Sequence, residues 1–244
     1  MGKPKYSFIA ASIRNHFYRD YYDSINVNNN IPFEVIFVGP NPPAEKMPDN
    51  FIHIKTDVKP GQCFEIAARA ATGDYLIWAA DDLRYCDGFL NRLDDYNNRL
   101  DDDKIFITFR ATLQGNYVDA GLVFDTQKPQ SPMIGFGGLF RTDIFHELGG
   151  LDKRFFGSFA DVDMQLRFME QGRTIFFPPD CIFNELKPHK SEKRNKTLLL
   201  YRCNTNNARP MLNALWVRPD GDVSKTRLSE VEAYDDKDIM VKDQ

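Results

Sequence analysis

Two adjacent carboxylates, Asp81 and Asp82, are the side chains of this sequence best placed to do chemistry. They follow a short apolar run that contains Tyr75 and Trp78 and has the length of a buried strand. Ligands of open α/β sheets bind at the carboxyl ends of the strands, so these acids would stand where a metal or phosphate site is built. The alternative is that the pair caps a helix beginning near Asp87.

Two later segments could contribute to the same site. Residues Ile134–Gly138 are rich in glycine, which permits close approach of the backbone to a ligand or to another strand. Residues Ala160–Gln171 have apolar side chains at helical spacing, which predicts a helix with Asp161 in its first turn. An acid at that position is favoured by the helix dipole alone, and the same holds for Asp163.

The elements that must position these residues alternate between strands and helices up to Asp82. This order predicts a parallel α/β sheet with right-handed crossovers. No GxGxxG or GxxxxGK[ST] motif is present, which argues against a dinucleotide enzyme or a P-loop NTPase. The predicted strands are Tyr6–Ser12, Phe33–Val38, Phe51–Ile54 and the run before Asp81, and the predicted helices run through Tyr22 and from Gln62 to Ala71.

The rest of the chain continues the mixture of helices and strands. Three acids, Asp101–Asp103, lie between a helix and a strand, and a solvated turn is favoured over a metal site there. Predicted helices are Gly88–Leu100 and Thr142–Leu148, and predicted strands are Ile105–Arg110, Tyr117–Phe124, Thr174–Phe177 and Cys181–Asn184.

Composition describes a globular protein. The chain has 244 residues, 42% of them hydrophobic, and a formal charge of −4, so no excess of basic residues is available to bind nucleic acid. Four widely spaced cysteines match neither a zinc site nor a disulfide framework, which favours reduced thiols. With no signal peptide and no apolar stretch long enough for a transmembrane segment, we expect a soluble, cytoplasmic protein.

A change of composition near the end of the chain predicts a domain boundary. From about Pro219 the sequence is acidic and poor in large apolar residues. We therefore expect a single domain over residues 1–217, followed by an acidic and mobile tail over residues 218–244.

In order and spacing, these motifs resemble the GT-A glycosyltransferases, and most closely glycosyltransferase family 2, over residues 6–189. Members of that family carry an A-x-G-E-Y-I…D-x-D block, then GG…R, GGFDE and ED-x-D-L…R…G. The resemblance implies a GT-A fold, a Rossmann-like α/β fold with a mixed, mostly parallel sheet flanked by helices. The matching segments are Ala71–Leu76 with Asp81 and Asp82, then Gly137–Arg141, Gly149–Asp152 and Ala160–Gly172.

The chain departs from the family pattern at three places. Ala80 replaces the first acid of D-x-D, and Ala160 replaces the glutamate of the ED pair. Residues Phe37–Asn41 replace V-D-D-G-S and lack its acids, one of which commonly meets the nucleobase or ribose. The resemblance therefore implies that Asp82 is the metal ligand and that Asp81 lies nearer the ribose or the water shell of the metal.

The resemblance implies transfer of a sugar from a nucleoside-diphosphate sugar to the hydroxyl of a glycan or other acceptor, with inversion. A divalent ion, Mn²⁺ or Mg²⁺, would neutralise the charge that develops on the diphosphate. The acceptor must lose a proton as it attacks, so a carboxylate is needed as general base, and Asp161 is the predicted one.

The resemblance also suggests residues around the donor and acceptor. His189 is predicted as a further metal ligand, although a histidine in a basic loop is often only solvated. Arg69 and Arg141 could contact phosphates or form surface ion pairs, and Phe155–Phe159 could stack on a sugar or belong to the core. The remaining predicted donor-binding residues are Gly137 and Gly138 in the glycine-rich segment, and Lys190 and Arg194 in a basic segment that is either a lid or an exposed charge run.

Two other functions stay open from the sequence. A nucleotidyltransferase would have a glycine-rich phosphate loop after the first strand, whereas Ala10–Arg14 contains no glycine. A non-catalytic module of the same fold that binds a nucleotide sugar or a glycan would account for Ala80 and Ala160 in place of acids.

Overall fold

A mostly parallel sheet of seven strands forms the centre of the molecule. The computed structural model describes residues 2–113, 116–118, 122–123, 133–134, 137–157, 159–186, 216 and 227–239. β11 runs antiparallel to both of its neighbours, and the other neighbouring strands pair in parallel. Numbered along the chain and given in spatial order, the strands are β12 (Thr174–Phe176), β6 (Ile105–Thr108), β11 (Gly138–Arg141), β4 (Tyr75–Trp78), β1 (Tyr6–Ala11), β2 (Phe33–Gly39) and β3 (Phe51–Lys55).

Helices cover both faces of this sheet and bury two hydrophobic clusters against it. On one face lie α1 (Tyr18–Asn26) and α3 (Phe89–Asn97), and on the other lie α2 (Pro60–Ala70), α4 (Thr142–Glu147) and α5 (Ala160–Glu170). α2 begins with a proline, whose missing N–H costs nothing in the first turn. Its Ala67 and Ala68 are fully buried, and their small side chains allow the helix to approach the sheet closely.

A second sheet continues from the carboxyl end of β4. It consists of β5 (Leu83–Tyr85), β13 (Ile182–Glu185), β7 (Arg110–Leu113) and β8 (Asn116–Val118), and a separate short pair joins β9 (Leu122–Val123) to β10 (Met133–Ile134). The prediction of one strand over Ile105–Arg110 is wrong, because the chain leaves the central sheet at Phe109 and enters the second sheet as β7. Phe109 is buried, with its ring centroid 5.1 Å from that of Phe89.

Two further strand predictions are corrected. The strand predicted over Tyr117–Phe124 is found as two short strands, β8 and β9, in different sheets. The sequence did not predict β11, because a four-residue strand that begins with glycine lacks an apolar pattern of useful length. β11 nevertheless occupies the middle of the central sheet, between β4 and β6.

Part of the predicted acidic tail packs on the domain. Residues 227–239 are described, and they end in the short helix α6 (Asp236–Ile239). Tyr234 is buried in the same cluster as α2, and the guanidinium of Arg69 donates to a carboxylate oxygen of Asp236 at 3.1 Å. This segment is therefore anchored, while residues 217–226 and 240–244 lie outside the described residues.

Three of the four cysteines lie within the described residues. Cys63, Cys86 and Cys181 are free thiols, and Cys203 lies outside the described residues. Within the described part of the chain, every helix is too short or too polar to cross a lipid bilayer.

α5 is held in place by a buried ion pair. The guanidinium of Arg167, fully buried, donates from Nε to Asp163 at 3.0 Å and from Nη2 to the carbonyl of Gly150 at 2.8 Å. The indole N–H of Trp216 donates to the other oxygen of Asp163 at 2.9 Å. The pair therefore fixes the helix that carries Asp161 to the turn before it.

We expect Arg167→Met to lower the free energy of unfolding by about 3–5 kcal/mol, because it leaves the buried Asp163 carboxylate without its cation. Urea denaturation measures this loss. Arg19→Met is the matched control, since Arg19 is exposed and pairs with Asp23 on the surface of α1, where loss of an ion pair changes stability far less. A loss for Arg167→Met no larger than that of the control would contradict the assignment.

Candidate active site

A cavity of about 330 Å³ opens at the carboxyl ends of β1, β2 and β4. Its volume lies at the lower end of the range for small-molecule sites, which is roughly 300–1,000 Å³. This edge of the sheet is the one at which the sequence predicted a site. Its polar and backbone lining includes Ser12 and Arg14 after β1, Gly39 at the end of β2 and Pro40 after it, Asp57 before α2, Asp81 and Asp82 after β4, and Glu185 at the end of β13.

Asp81 joins the ends of β1 and β4. One of its carboxylate oxygens accepts the backbone N–H groups of Ile13 at 2.7 Å and Arg14 at 2.8 Å. The other oxygen accepts the guanidinium of Arg14 at 2.5 Å. The side chain is almost completely buried, so its hydrogen bonds are used to hold the turn that follows β1.

Asp82 lies beside this pair and faces the same cavity. Its carboxylate is 3.2 Å from Nη1 of Arg14, and its carbonyl accepts the N–H of Leu186 at 2.6 Å. Burial raises the pKa of Asp82 to about 6, and the nearby charges of Asp81 and Glu185 add to the rise while Arg14 opposes it. The second sheet therefore fixes Asp82 and supplies a further acid next to it.

The oxygen ligands at this edge fit a divalent ion that obtains most of its ligands from a bound diphosphate and from water. Asp82 offers a hard carboxylate oxygen, as Mg²⁺ and Mn²⁺ prefer, whereas the oxygens of Asp81 already accept three hydrogen bonds. Among the described residues, no group of three histidines, cysteines or acids is arranged to hold a metal. His189, the other predicted ligand, lies outside the described residues. A metal at Asp82 would depend on diphosphate oxygens and water for its remaining ligands.

Asp161 stands at the start of α5, as predicted. The helix ends at Glu170, and β12 then begins opposite the first residue of β6, so α5 starts toward the carboxyl ends of the strands. Burial raises the pKa of Asp161, although backbone N–H groups of its own first turn oppose the rise. Asp161 is half-buried and does not line the cavity, so it lies along the same edge rather than inside it.

An exposed aromatic ring lies shortly before α5 in the sequence, in a groove that it shares with Lys59 and the C-terminal segment and that is separate from the cavity. Among the described residues, Phe156 and Ile52 are the large apolar side chains left exposed, and Nζ of Lys59 lies 3.2 Å from the centroid of the Phe156 ring. Its carbonyl accepts the N–H of Gly61 at 2.9 Å, which ties the segment to the start of α2. Phe155 is fully buried instead, so the predicted aromatic segment divides between core and surface.

The two predicted glycines are explained by packing beside the site. A Cβ at Gly138 would lie 1.9 Å from the ring of Phe106, and one at Gly137 would lie 2.7 Å from the carbonyl oxygen of Trp78. Gly138 also pairs with Trp78, the last residue of β4. The glycines thus bring β11 close to β4 near the carboxyl edge, without lining the cavity.

The two predicted arginines lie away from this edge. Arg141 pairs in register with Tyr75, the first residue of β4, and binds Asp102, Asp103 and Asp143. Arg69 is nine residues from the start of α2, about 14 Å along the helix axis, and binds Glu65 and the C-terminal segment. The structure does not bring either side chain to the cavity. Lys190 and Arg194 lie outside the described residues.

Comparison with solved structures finds a similar backbone in S. aureus TarS, a glycosyltransferase of GT-A type. The crystal structure of TarS residues 1–349 in complex with UDP has a TM-score of 0.57 at 14% identity, covering 83% of this chain and 66% of that chain. A second crystal structure of the same fragment gives a TM-score of 0.56 at 14% identity with the same coverage. The chain has a GT-A glycosyltransferase fold. This confirms the fold predicted from the motifs.

The GT-A likeness concerns the backbone only. No family model matches the chain, and no curated protein sequence matches it. In a third structure, of S. aureus TarS, the TM-score is 0.57 at 12% identity and the chain spans 39% of that protein. The chain thus spans about two thirds of the TarS fragment and much less of the longer chain.

Three charged residues that line the cavity were not predicted to act there. Arg14 stands directly after the carboxyl end of β1, and its position beside the paired acids could have been inferred from the parallel order of β1 and β4. Asp57 precedes α2, and Glu185 ends β13. Nothing in the sequence signals Glu185, because its place depends on the pairing of β13 with β5 in the second sheet.

We expect Asp82→Asn to raise the free energy of unfolding at pH 8 by about 1–3 kcal/mol, because ionising a buried carboxyl of raised pKa costs folding free energy. The folded-state pKa of about 6 exceeds the unfolded value, so wild type gains stability as pH falls from 8 toward 4. The difference between variant and wild type should therefore shrink over that range in urea denaturation. A variant less stable than wild type at pH 8 would show that the Arg14 contact outweighs burial.

Proposed function

We propose that this chain is a glycosyltransferase that moves a sugar from a nucleoside-diphosphate sugar to the hydroxyl of a glycan or other acceptor. The observation that carries the proposal is the cavity at the carboxyl edge of a GT-A fold, lined by paired carboxylates and an arginine. The similar TarS fragment was crystallised with UDP, which supports a uridine diphosphate sugar as the first donor to test.

In the proposed reaction, the bond between the anomeric carbon and the diphosphate oxygen breaks as the acceptor oxygen bonds to that carbon. The diphosphate leaves with the electron pair, and the acceptor hydroxyl gives its proton to Asp161. Attack from the side opposite the leaving group inverts the anomeric centre. The position of Asp161 on the same edge of the sheet as the cavity, yet outside it, suits a base that acts on the acceptor side.

The raised pKa of Asp161 suits this role because a more basic carboxylate accepts a proton more readily once it is ionised. Phe156 precedes Asp161 by five residues in the sequence and has an exposed ring, and we assign to it stacking against an acceptor sugar. The ammonium group of Lys59 lies over one face of the ring and holds it in place by a cation–π contact.

The carboxylate of Asp82 would hold a divalent ion, Mn²⁺ or Mg²⁺, together with the donor diphosphate. When bound, such an ion neutralises the charge that develops on the leaving diphosphate. The chain's own residues shape the rest of the site: Asp81 fixes the turn after β1, and Glu185 adds negative charge beside Asp82. Neither the nucleotidyltransferase nor the non-catalytic module is favoured by a specific contact in the described residues.

We expect UDP with Mn²⁺ to stabilise the protein against heat. A ligand at about 100 times its dissociation constant adds roughly 2.7 kcal/mol, which corresponds to about 5–10 °C in a domain of this size. Differential scanning fluorimetry with UDP, GDP, ADP and CDP, each with and without Mn²⁺, measures the shift. Asp82→Ala should remove the part of the shift that requires Mn²⁺. The donor assignment fails if no nucleotide diphosphate raises the midpoint under either condition.

We expect Asp161→Asn to lower the turnover of a UDP-sugar by about 10²–10⁴-fold, since the base is lost while the fold is kept. The released UDP reports the rate with an added acceptor or with water, and calorimetry should give the same UDP affinity as wild type. In wild type, the rate should fall on acidification at a pH above the usual range of aspartate, because burial raises the pKa of Asp161.

Asp95→Asn is the matched control for this variant, because Asp95 is exposed on α3, away from the cavity. Its rate should equal that of wild type. Turnover by Asp161→Asn at the wild-type rate would assign the base to another residue.

A further inference from the structure

The guanidinium of Arg14 lies between the two carboxylates of the candidate site. The same nitrogen, Nη1, is 2.5 Å from Asp81 and 3.2 Å from Asp82. Both carboxylates are buried, while the arginine side chain keeps about a quarter of its surface exposed toward the cavity. A guanidinium is a permanent cation, so positive charge already stands where an ion bound to Asp82 would stand.

We propose that Arg14 is an internal cation that competes with the divalent ion for Asp82, and that its guanidinium moves onto the diphosphate when a donor enters. This inference rests on the proposed function for the identity of the donor. It assigns to Arg14 a role that the sequence motifs do not, since they concern only the acids at this edge.

The contacts of Arg14 allow its head to move without loss of the turn. Its backbone N–H and that of Ile13 both donate to Asp81, at 2.8 and 2.7 Å, and these two hydrogen bonds do not involve the guanidinium. Because the side chain lines the cavity, its fork can reach a ligand there and bind phosphate oxygens through two parallel N–H groups.

The charges around the cavity link the movement of the Arg14 guanidinium to the binding of a divalent ion at Asp82. Asp57, Asp81, Asp82 and Glu185 line it, with Arg14 as the cation among the described lining residues. Moving the guanidinium onto a diphosphate withdraws it from both acids, but Asp81 keeps its two backbone N–H donors, whereas Asp82 is left buried without a cation. This is costly, so a divalent ion is then favoured at Asp82. The ion should therefore bind well with nucleotide and poorly by itself.

Titration of Mn²⁺ alone into the full chain tests the competition, by calorimetry or by electron paramagnetic resonance of the free ion. We expect Arg14→Ala to bind Mn²⁺ at least about tenfold more tightly than wild type, a change of about 1.4 kcal/mol. Arg14→Lys keeps a cation and should fall between the two. Arg19→Ala, which removes an exposed arginine of α1, should match wild type. Equal affinity of wild type and Arg14→Ala would overturn the proposal.

Titration of UDP without metal tests whether the guanidinium of Arg14 binds the diphosphate. Arg14→Ala should weaken UDP binding at least about tenfold and leave uridine unaffected, as expected for a contact to phosphate. Unchanged UDP affinity would overturn the transfer of the guanidinium to the diphosphate. Where Arg14→Ala does not fold, as judged by circular dichroism, Arg14→Gln gives the same test with a hydrogen-bonding head and no charge.

The two titrations separate this inference from the proposed function. The Mn²⁺ measurement contains no nucleotide, so tighter binding by Arg14→Ala supports the competition even if wild type turns over no UDP-sugar. If wild type and Arg14→Ala bind Mn²⁺ equally while UDP binding and turnover are normal, the proposed function stands and the role of Arg14 is removed.

Discussion

Burying two adjacent carboxylates at the end of a strand is the constraint on which this structure depends. A buried ionised acid without a partner costs several kcal/mol, so each carboxylate needs donors or a cation. Asp81 obtains two backbone N–H groups and the guanidinium of Arg14, which only the turn after β1 can supply. The carboxylate of Asp82 has only a longer contact with the same guanidinium, and burial raises its pKa to about 6. The site is therefore held together through Asp81 and left under-satisfied at Asp82.

The surrounding architecture follows from this arrangement. β1 and β4 must be parallel neighbours for the turn after one to meet the acids after the other, and their registered pairing from Tyr6 with Tyr75 provides this. The second sheet then closes the far side, where β13 pairs with β5 and brings Glu185 opposite Leu83. On the other flank, the buried Arg167 fixes α5 and hence the position of Asp161. The β1–β4 pairing, the second sheet and the contacts of Arg167 thus each position an acidic side chain at the same edge of the central sheet.

How far the sequence predicts this site depends on whether a residue's position is set locally. Asp81, Asp82 and Asp161 could be placed because each directly follows a strand or begins a helix with a clear apolar pattern. The positions of Arg141 and Arg69 could not be predicted in this way. β11 runs antiparallel and carries Arg141 to the opposite edge of the sheet, and Arg69 lies near the far end of α2. β11 itself and the break at Phe109 arise from tertiary pairing between segments far apart in sequence. The same holds for Glu185.

The charges around the cavity explain why an alanine suits the position of Ala80, where the resemblance to the GT-A pattern would place an acid. Ala80 lines the cavity, so a carboxylate there would add a further negative charge to an edge that already has Asp57, Asp81, Asp82 and Glu185 around one guanidinium. With Asp81 committed to the turn after β1, the charge balance of the edge is set by Arg14 and Asp82. The guanidinium of Arg14 partly balances the buried carboxylates, whereas a third acid beside them would leave more negative charge without a partner. The absence of an acid at Ala80 and the position of Arg14 are then two aspects of one electrostatic arrangement, in which the chain itself supplies the cation for the buried acids.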